Sequence, residues 1–176
     1  MIEYERRYLV SDMSGIPGFS TEQGYELIVQ GYLAARDGAA LRIRRRLIVD
    51  PANSSNHYAA KPVLEFKGKR GAASRFEHEW PVPDFMAPRL MKLSAATIEK
   101  HRYPFNSDGH LWEIDEFLGE NRGLVIAELE TQEPLIGFTP PSWCGKEVTP
   151  MRCFDNESLA LHPISRWSEE ERASWL

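Results

Sequence analysis

Apolar and polar residues alternate with period two through most of the chain, in runs rich in β-branched and aromatic residues and bounded by turn-forming ones. The pattern predicts strands over residues 2–10, 26–35, 40–49, 61–68, 74–82, 95–105, 110–118 and 123–131. Eight strands in roughly 130 residues imply a mainly β fold, a barrel or sandwich of antiparallel hairpins. Arg36-Asp37-Gly38 and Ser107-Asp108-Gly109 are hairpin-type turns, residues 119–123 form a longer one, and residues 51–60, centred on Asn53-Ser54-Ser55-Asn56, connect two strands. Helical signals are few. Residues 84–93 carry Phe85, Met86, Leu90, Met91 and Leu93 with a shortening Pro88, and Ser168-Glu169-Glu170-Glu171 is a capping box that opens a short terminal helix. The fold class is therefore α+β, mainly β, in one domain over residues 1–176, with its core at about 2–160, a Pro-rich loop at 138–152 and a helical tail at 161–176.

The same alternation gives each strand two faces, and one of them repeatedly collects charge. Glu3, Glu5 and Arg7 share a face. Arg42, Arg44 and Arg46 oppose Leu41, Ile43 and Leu47, while Glu65, Lys67 and Lys69 oppose Leu64 and Phe66. Arg75, Glu77 and Glu79 oppose Phe76 and Trp80. Glu113 and Asp115 oppose Trp112 and Ile114, and Glu128 and Glu130 oppose Ala127 and Leu129. A solvated sheet face explains any one of these strands. It does not explain the segregation by sign, because like charges on neighbouring strand positions repel.

Composition narrows the field without locating a site. Twenty-one Lys and Arg against 26 Asp and Glu give a formal charge of −5, which argues against a uniformly basic nucleic-acid binder. No apolar run approaches the ~18 residues of a membrane-spanning helix, and the start of the chain has no signal-peptide pattern. Cys144 and Cys153 lack metal or redox spacing and read as reduced thiols of a cytoplasmic protein; the five histidines are scattered without ligand spacing. Arg44-Arg45-Arg46 is a short basic run, but alternation sends Arg45 to the opposite face.

Carboxylate pairs suit hard divalent cations such as Mg²⁺ or Mn²⁺, and ladders of Lys and Arg suit phosphate oxygens. If the sheet closes with its charged face inward, one lumen holds both sets. The ligand they jointly describe is a polyphosphate bridged by metal ions.

At these residues the sequence resembles the CYTH superfamily, the triphosphate tunnel metalloenzymes. The opening signature E-x-E-x-K reads Glu3-Tyr4-Glu5-Arg6-Arg7 here, and further blocks follow in register: Gln30-Gly31-Tyr32-Leu33, Leu41-Arg42-Ile43-Arg44, Glu65-Phe66-Lys67-Gly68-Lys69, Arg75-Phe76-Glu77, Glu99-Lys100-His101-Arg102-Tyr103, Trp112-Glu113-Ile114-Asp115-Glu116-Phe117, Ala127-Glu128-Leu129-Glu130 and Trp143-Cys144-Gly145-Lys146-Glu147-Val148-Thr149. The resemblance implies an eight-stranded antiparallel tunnel for triphosphate-containing substrates and divalent metal ions. It makes Glu3, Glu5, Glu128 and Glu130 the principal metal-side carboxylates, with Glu113 and Asp115 close by. Arg7, Arg42, Arg44, Lys67, Lys69, Arg75, Lys100, Arg102 and Lys146 would line the phosphate path. Glu130 would deprotonate the attacking water, with Tyr32 and Lys100 as a supporting pair. Position 7 departs from the motif: Arg replaces Lys and holds its proton under all ordinary conditions. Cys153-Phe154 stands where the family tail has an Arg–Tyr pair, with Arg152 one residue earlier as a substitute.

The expected activity is hydrolysis of a phosphoanhydride bond in inorganic triphosphate or a small organic triphosphate. The alternatives are a class IV-type adenylate cyclase and a non-catalytic binder of polyphosphate or nucleotides. No nucleic acid or membrane partner is expected, and a homodimer would cover apolar positions such as Phe76 and Trp80.

Overall fold

In the computed structural model the described residues are 2–53, 57–69 and 74–173, with backbone alone for residues 2, 3, 74 and 75. The predicted strands form at their expected places: β1 (Ile2–Leu9), β2 (Tyr25–Arg36), β3 (Ala39–Val49), β5 (Val63–Lys67), β6 (Ser74–Pro81), β7 (Ala96–Ser107), β8 (His110–Phe117) and β9 (Val125–Thr131). A two-residue strand, β4 (Tyr58–Ala59), adds to the end of β3 within the expected connection, whose Ser54, Ser55 and Asn56 lie outside the described residues.

Each strand pairs antiparallel with its neighbours in the order β2-β7-β8-β9-β1-β6-β5-β3, and β3 pairs back to β2. Eight strands therefore close into a barrel, which removes the free edges an open sheet would expose. Local chemistry supports the closure. Asp37 and Gly38 take φ of 54° and 81°, and Asp108 and Gly109 take 52° and 76°, the left-handed pair that a two-residue hairpin turn requires. A bulge between Tyr32 and Ala34 adds local twist to the β2–β3 hairpin.

The outer face is covered in two places. Tyr8, Tyr103, Phe105, Trp112, Ile114 and Leu129 form a buried cluster on β1 and β7–β9, with Phe19, Leu135, Phe138 and Trp143 from the irregular segments packed over it. The helix α1 (Ala87–Lys92), with Pro88 in its first turn, lies on β2 and β3. It approaches so closely that a Cβ on Gly31 would meet Ser94 Oγ at 2.2 Å and Met91 Sδ at 2.6 Å.

A further helix, α2 (Asn156–Leu161), was not legible in the sequence; the expected helical tail holds a 3-10 turn (Ile164–Arg166) and the short α3 (Glu169–Ala173) among the described residues. The capping box of α3 forms as expected, Ser168 N donating to Glu171 Oε2 at 2.7 Å and Glu171 N to Ser168 Oγ at 3.1 Å. α2 lies across one end of the barrel, where Leu159 and Phe154 pack on Tyr32, Ile98, Phe117 and Ile126. The segment before it runs beside β1, with Gly145 N donating to Leu9 O at 2.8 Å and Val148 N to Arg7 O at 2.8 Å. A Cβ on Gly145 would sit 2.8 Å from Leu9 O, so only glycine permits that approach.

Candidate active site

Inward-facing positions change character along the barrel axis. Beneath α2 they are apolar; above that layer Arg7, Gln30, Arg42, Glu65, Lys100, Asp115 and Glu128 are all buried polar or charged groups. They adjoin a cavity of about 240 Å³ whose walls are mostly charged, Ile28 and Pro104 being the only apolar residues on it among the described ones.

One wall is cationic and is organised by a single acid. Glu65 on β5 is fully buried and takes Arg42 Nη2 at 2.6 Å, Lys67 Nζ at 3.4 Å and Arg44 Nη2 at 3.5 Å. Burial alone would raise its pKa, but the charges of Arg42, Lys67 and Arg44 outweigh burial and bring it down to about 2. Toward the mouth Lys67 pairs with Glu77 at 2.8 Å, Arg44 with Glu79, and Arg46 with Glu26 at 3.7 Å.

The opposite wall, on β7, β8 and β9, repeats the device with the signs arranged differently. Asp115 is fully buried; it accepts Arg102 Nε and Nη2, both at 2.7 Å, in a two-pronged contact, and also Lys100 Nζ. Arg102 continues to Glu113 and, at 2.8 Å, to Glu128. Burial, helped by Arg102, lowers the Lys100 pKa against the pull of Asp115 and Glu128.

Carboxylate oxygens of Glu113, Glu128 and Glu130 lie within 4.8 Å of one another, and Glu5 stands directly across the β1–β9 ladder from Glu130. Burial opposes ionisation of Glu128, yet Lys100, Arg102, Arg7 and Lys67 together hold its pKa well below the ordinary range. Glu113 is raised by burial, with Arg102 pulling the other way. Glu130 is raised to about 7, by burial within the wall and then by the charges of Glu128 and Glu113. Its side chain still meets solvent at the lumen. Both causes, burial and the like charges of the cluster, are offset by a hard divalent cation with oxygen ligands. The donor set fits such an ion.

Of the expected site residues the lumen brings together Glu5, Arg7, Arg42, Arg44, Lys67, Lys100, Arg102, Glu113, Glu128 and Glu130. Glu3 and Arg75 stand opposite each other in the β1–β6 register, and their side chains lie outside the described residues. Four residues depart from expectation. Asp115 is the buried counter-ion of Lys100 and Arg102 and does not reach the carboxylate cluster. Tyr32 sits opposite Ala96 in register while Lys100 sits opposite Ile28, and the Tyr32 hydroxyl accepts from Arg42 at 3.5 Å, so the register separates the expected Tyr32–Lys100 pair by four residues. Lys69 lies beyond the end of β5, exposed beside the Gly38 turn. Lys146 is on the outside, in the segment that flanks β1, because strand alternation no longer governs that irregular run. Arg152 lines a second cavity of about 130 Å³ that shares Arg42, Lys67 and Asn156 with the lumen.

The expectation passed over Glu26, Gln30, Arg46, Glu77 and Glu79 on the wall, and Glu65 behind it. Alternation had put Arg46, Glu65, Glu77 and Glu79 on the charged face, so that signal would have found them. Asn156, at the start of α2, had no such signal.

Comparison with known proteins bears on the whole chain. No protein-family model matches it. An inorganic triphosphatase of Acetivibrio thermocellus is 34% identical over 169 residues, covering 95% of this chain and 98% of that protein. One of Nitrosomonas europaea is 28% identical, covering 92% and 98%. A crystal structure of an inorganic triphosphatase superposes with a TM-score of 0.61 at 27% identity, covering 90% of this chain and 94% of the other. A conserved hypothetical protein from Pyrococcus furiosus shares the fold at a TM-score of 0.52 and 20% identity, over 75% and 80%. With the charged barrel and these relatives together, the chain belongs to the CYTH superfamily of triphosphate tunnel metalloenzymes.

Proposed function

We propose that the chain hydrolyses a terminal phosphoanhydride bond of inorganic triphosphate in the barrel lumen, with Mg²⁺ or Mn²⁺ as cofactor. The observation that carries the reading is the placement of a three-carboxylate cluster opposite a cationic wall, in a chain whose relatives are inorganic triphosphatases. Arg44, Lys67, Lys100 and Arg102 reach the cavity and bind phosphate oxygens; Arg42 steadies the wall through Glu65. Glu5, Glu113 and Glu128 would hold the divalent ion, whose chemistry there would be to offset charge on the phosphate oxygens and make the attacking water more acidic. In the balanced step a water oxygen bonds to the terminal phosphorus, the bridging P–O bond breaks, pyrophosphate leaves with that electron pair, and the water proton passes to a Glu130 carboxylate oxygen. Without the ion, burial and the neighbouring acids raise Glu130 to about 7; a cation in the cluster would favour its ionised form, which accepts that proton near neutrality. Fixed lumen charges make most of the acceleration a matter of positioning and electrostatics.

Phosphate release from triphosphate with Mg²⁺ or Mn²⁺ tests the reading. Cyclic AMP from ATP as the main product would replace it with the cyclase, and tight triphosphate binding without turnover would replace it with the binder. Two free thiols, Cys144 and Cys153, support a cytoplasmic location, and no helix among the described residues is long and apolar enough to cross a membrane. Phe76 and Trp80, 59% and 45% exposed on the outer face of β6, support a homodimer.

A further inference from the structure

Arg7 occupies the motif position that carries Lys in the family, and its guanidinium is directed at the chain's own C-terminal segment. Nη1 donates to Phe154 O at 2.9 Å, and Nη2 to Thr149 O at 3.1 Å and Asp155 Oδ1 at 2.8 Å, while Nε pairs with Glu5 at 3.2 Å. The backbone reinforces the contact, Arg7 N donating to Thr149 Oγ1 at 2.9 Å. A forked, planar guanidinium reaches these acceptors at once; an ammonium gathers its three donors on one nitrogen and does not. Of the five guanidinium N–H groups these contacts engage four, so little of Arg7 remains for a substrate.

What Arg7 holds in place then matters. Asp155 leads directly into α2, and the first residue of α2, Asn156, lines the lumen. Lys100 Nζ donates to Asn156 Oδ1 at 3.3 Å. Lysine has no acceptor, so this contact takes the amide oxygen and leaves the Asn156 NH₂ as a donor on the cavity wall. Lys100 has three N–H groups; Asp115 and Asn156 take two, which aims the third.

We propose that Arg7 is a latch rather than a phosphate ligand, and that the segment it fastens delivers Asn156 into the lumen as a positioning residue that orients Lys100 and offers its own NH₂ to a phosphate oxygen. The arrangement rests on the triphosphatase reading for its substrate, and the latch itself does not. It also explains how the Arg-for-Lys departure is accommodated: the cation is withdrawn from the substrate and an amide donor takes a place on the same wall.

Two readouts test it on the full-length protein. Amide hydrogen exchange at Phe154 and Leu159, whose N–H groups donate to Met151 O and Asp155 O, reports the latch without substrate. Arg7→Lys, which restores the family motif, is expected to speed exchange at both amides about tenfold or more, the size of one lost hydrogen bond to a charged group. Asp155→Asn, which leaves β1 intact, is expected to do the same to a smaller extent. Exchange unchanged in both variants overturns the latch. Steady-state kinetics with inorganic triphosphate test Asn156: Asn156→Ala is expected to raise KM about tenfold with kcat changed far less, as for loss of one ground-state contact to a charged group. An unchanged KM overturns its assignment. A wild-type protein that does not cleave triphosphate would refute the function proposed above, while the exchange experiment would still decide the latch.

Discussion

Replacing Glu65 by Gln removes the one negative charge on which Arg42, Arg44 and Lys67 converge and leaves the shape almost unchanged. Glu65 is fully buried, so solvent screens the loss little. Lowering its pKa from 4.5 to about 2 corresponds to about 3 kcal/mol of native-state stability. The sign follows from linkage: a depressed carboxylate contributes stability that is complete above the unfolded value of 4.5 and is lost as pH falls through about 2. The substituted amide also turns its NH₂ toward one of these cations, which adds to the cost. Urea unfolding at pH 7 is therefore expected to show a midpoint lower by about 1–2 M at unchanged slope, with slopes near ~2 kcal/mol/M. The gap between wild type and Glu65→Gln is expected to shrink to about half near pH 3. Inorganic triphosphate alone should stabilise the variant more than the wild type, because its oxygens then supply the missing counter-charge. Equal midpoints at pH 7 would refute the idea that Glu65 organises the cationic wall.

In the metal-free protein the Glu130 side-chain carboxyl, followed by ¹³C NMR, is expected to titrate near 7, and Glu128→Gln is expected to lower that value by removing the like charge that acts on it most strongly. Its raised pKa acts on stability in the opposite sense to Glu65: the contribution is present below pH 4.5 and lost as pH rises through about 7. Glu130→Gln is expected to lose turnover while still binding triphosphate, checked by phosphate release against calorimetry. Gly31→Val is expected to destabilise by about 1–3 kcal/mol, read by thermal unfolding, because the new side chain drives into Ser94 and Met91 and lifts α1 from the barrel. Trp112→Ala, which empties the centre of the outer cluster, is expected to cost about 3–5 kcal/mol in the same measurement.

Strand positions and the charged face were legible because a closed barrel imposes period two on every strand and rewards it at every inward position. Alternation reports the face of a residue but not its depth, and depth separates Glu113 from Asp115. The two share one face of β8, yet Glu113 joins the carboxylate cluster at the lumen while Asp115 is sealed against Lys100 and Arg102. Where strand order ends, so does the signal: Lys69 follows β5 and Lys146 lies in an irregular run, and both leave the lumen. α2 was hidden for a different reason. Its six residues are too few for a helical period to show, and it exists through its packing of Leu159 against the barrel end.

The sign-segregated ladders raise a problem that the geometry resolves by depth. Like charges on adjacent strands repel, and a lumen rich in them has to be stable before any substrate arrives. Each wall accordingly carries a permanent counter-ion at its base, Glu65 for the β3 and β5 cations and Asp115 for those of β7, both fully buried. A substrate cannot displace these without leaving a buried charge unpaired. Nearer the mouth the partners are more open: Glu79, which pairs with Arg44, has 44% of its side chain exposed, so solvent screens the pair and little is lost when a phosphate oxygen replaces it. The lumen thus divides into a lower tier whose pairs preserve the fold and an upper tier whose pairs can exchange for substrate. Arg42 belongs to the first, whereas Arg44, 3.5 Å from Glu65 and closer to Glu79, reaches from the first into the second, although the sequence writes them as one R-x-R. Glu79→Gln is therefore expected to tighten triphosphate binding while barely changing stability, the reverse of the balance at Glu65; calorimetric titration beside urea unfolding checks it, and a Glu79→Gln protein destabilised as much as Glu65→Gln would refute the two-tier division.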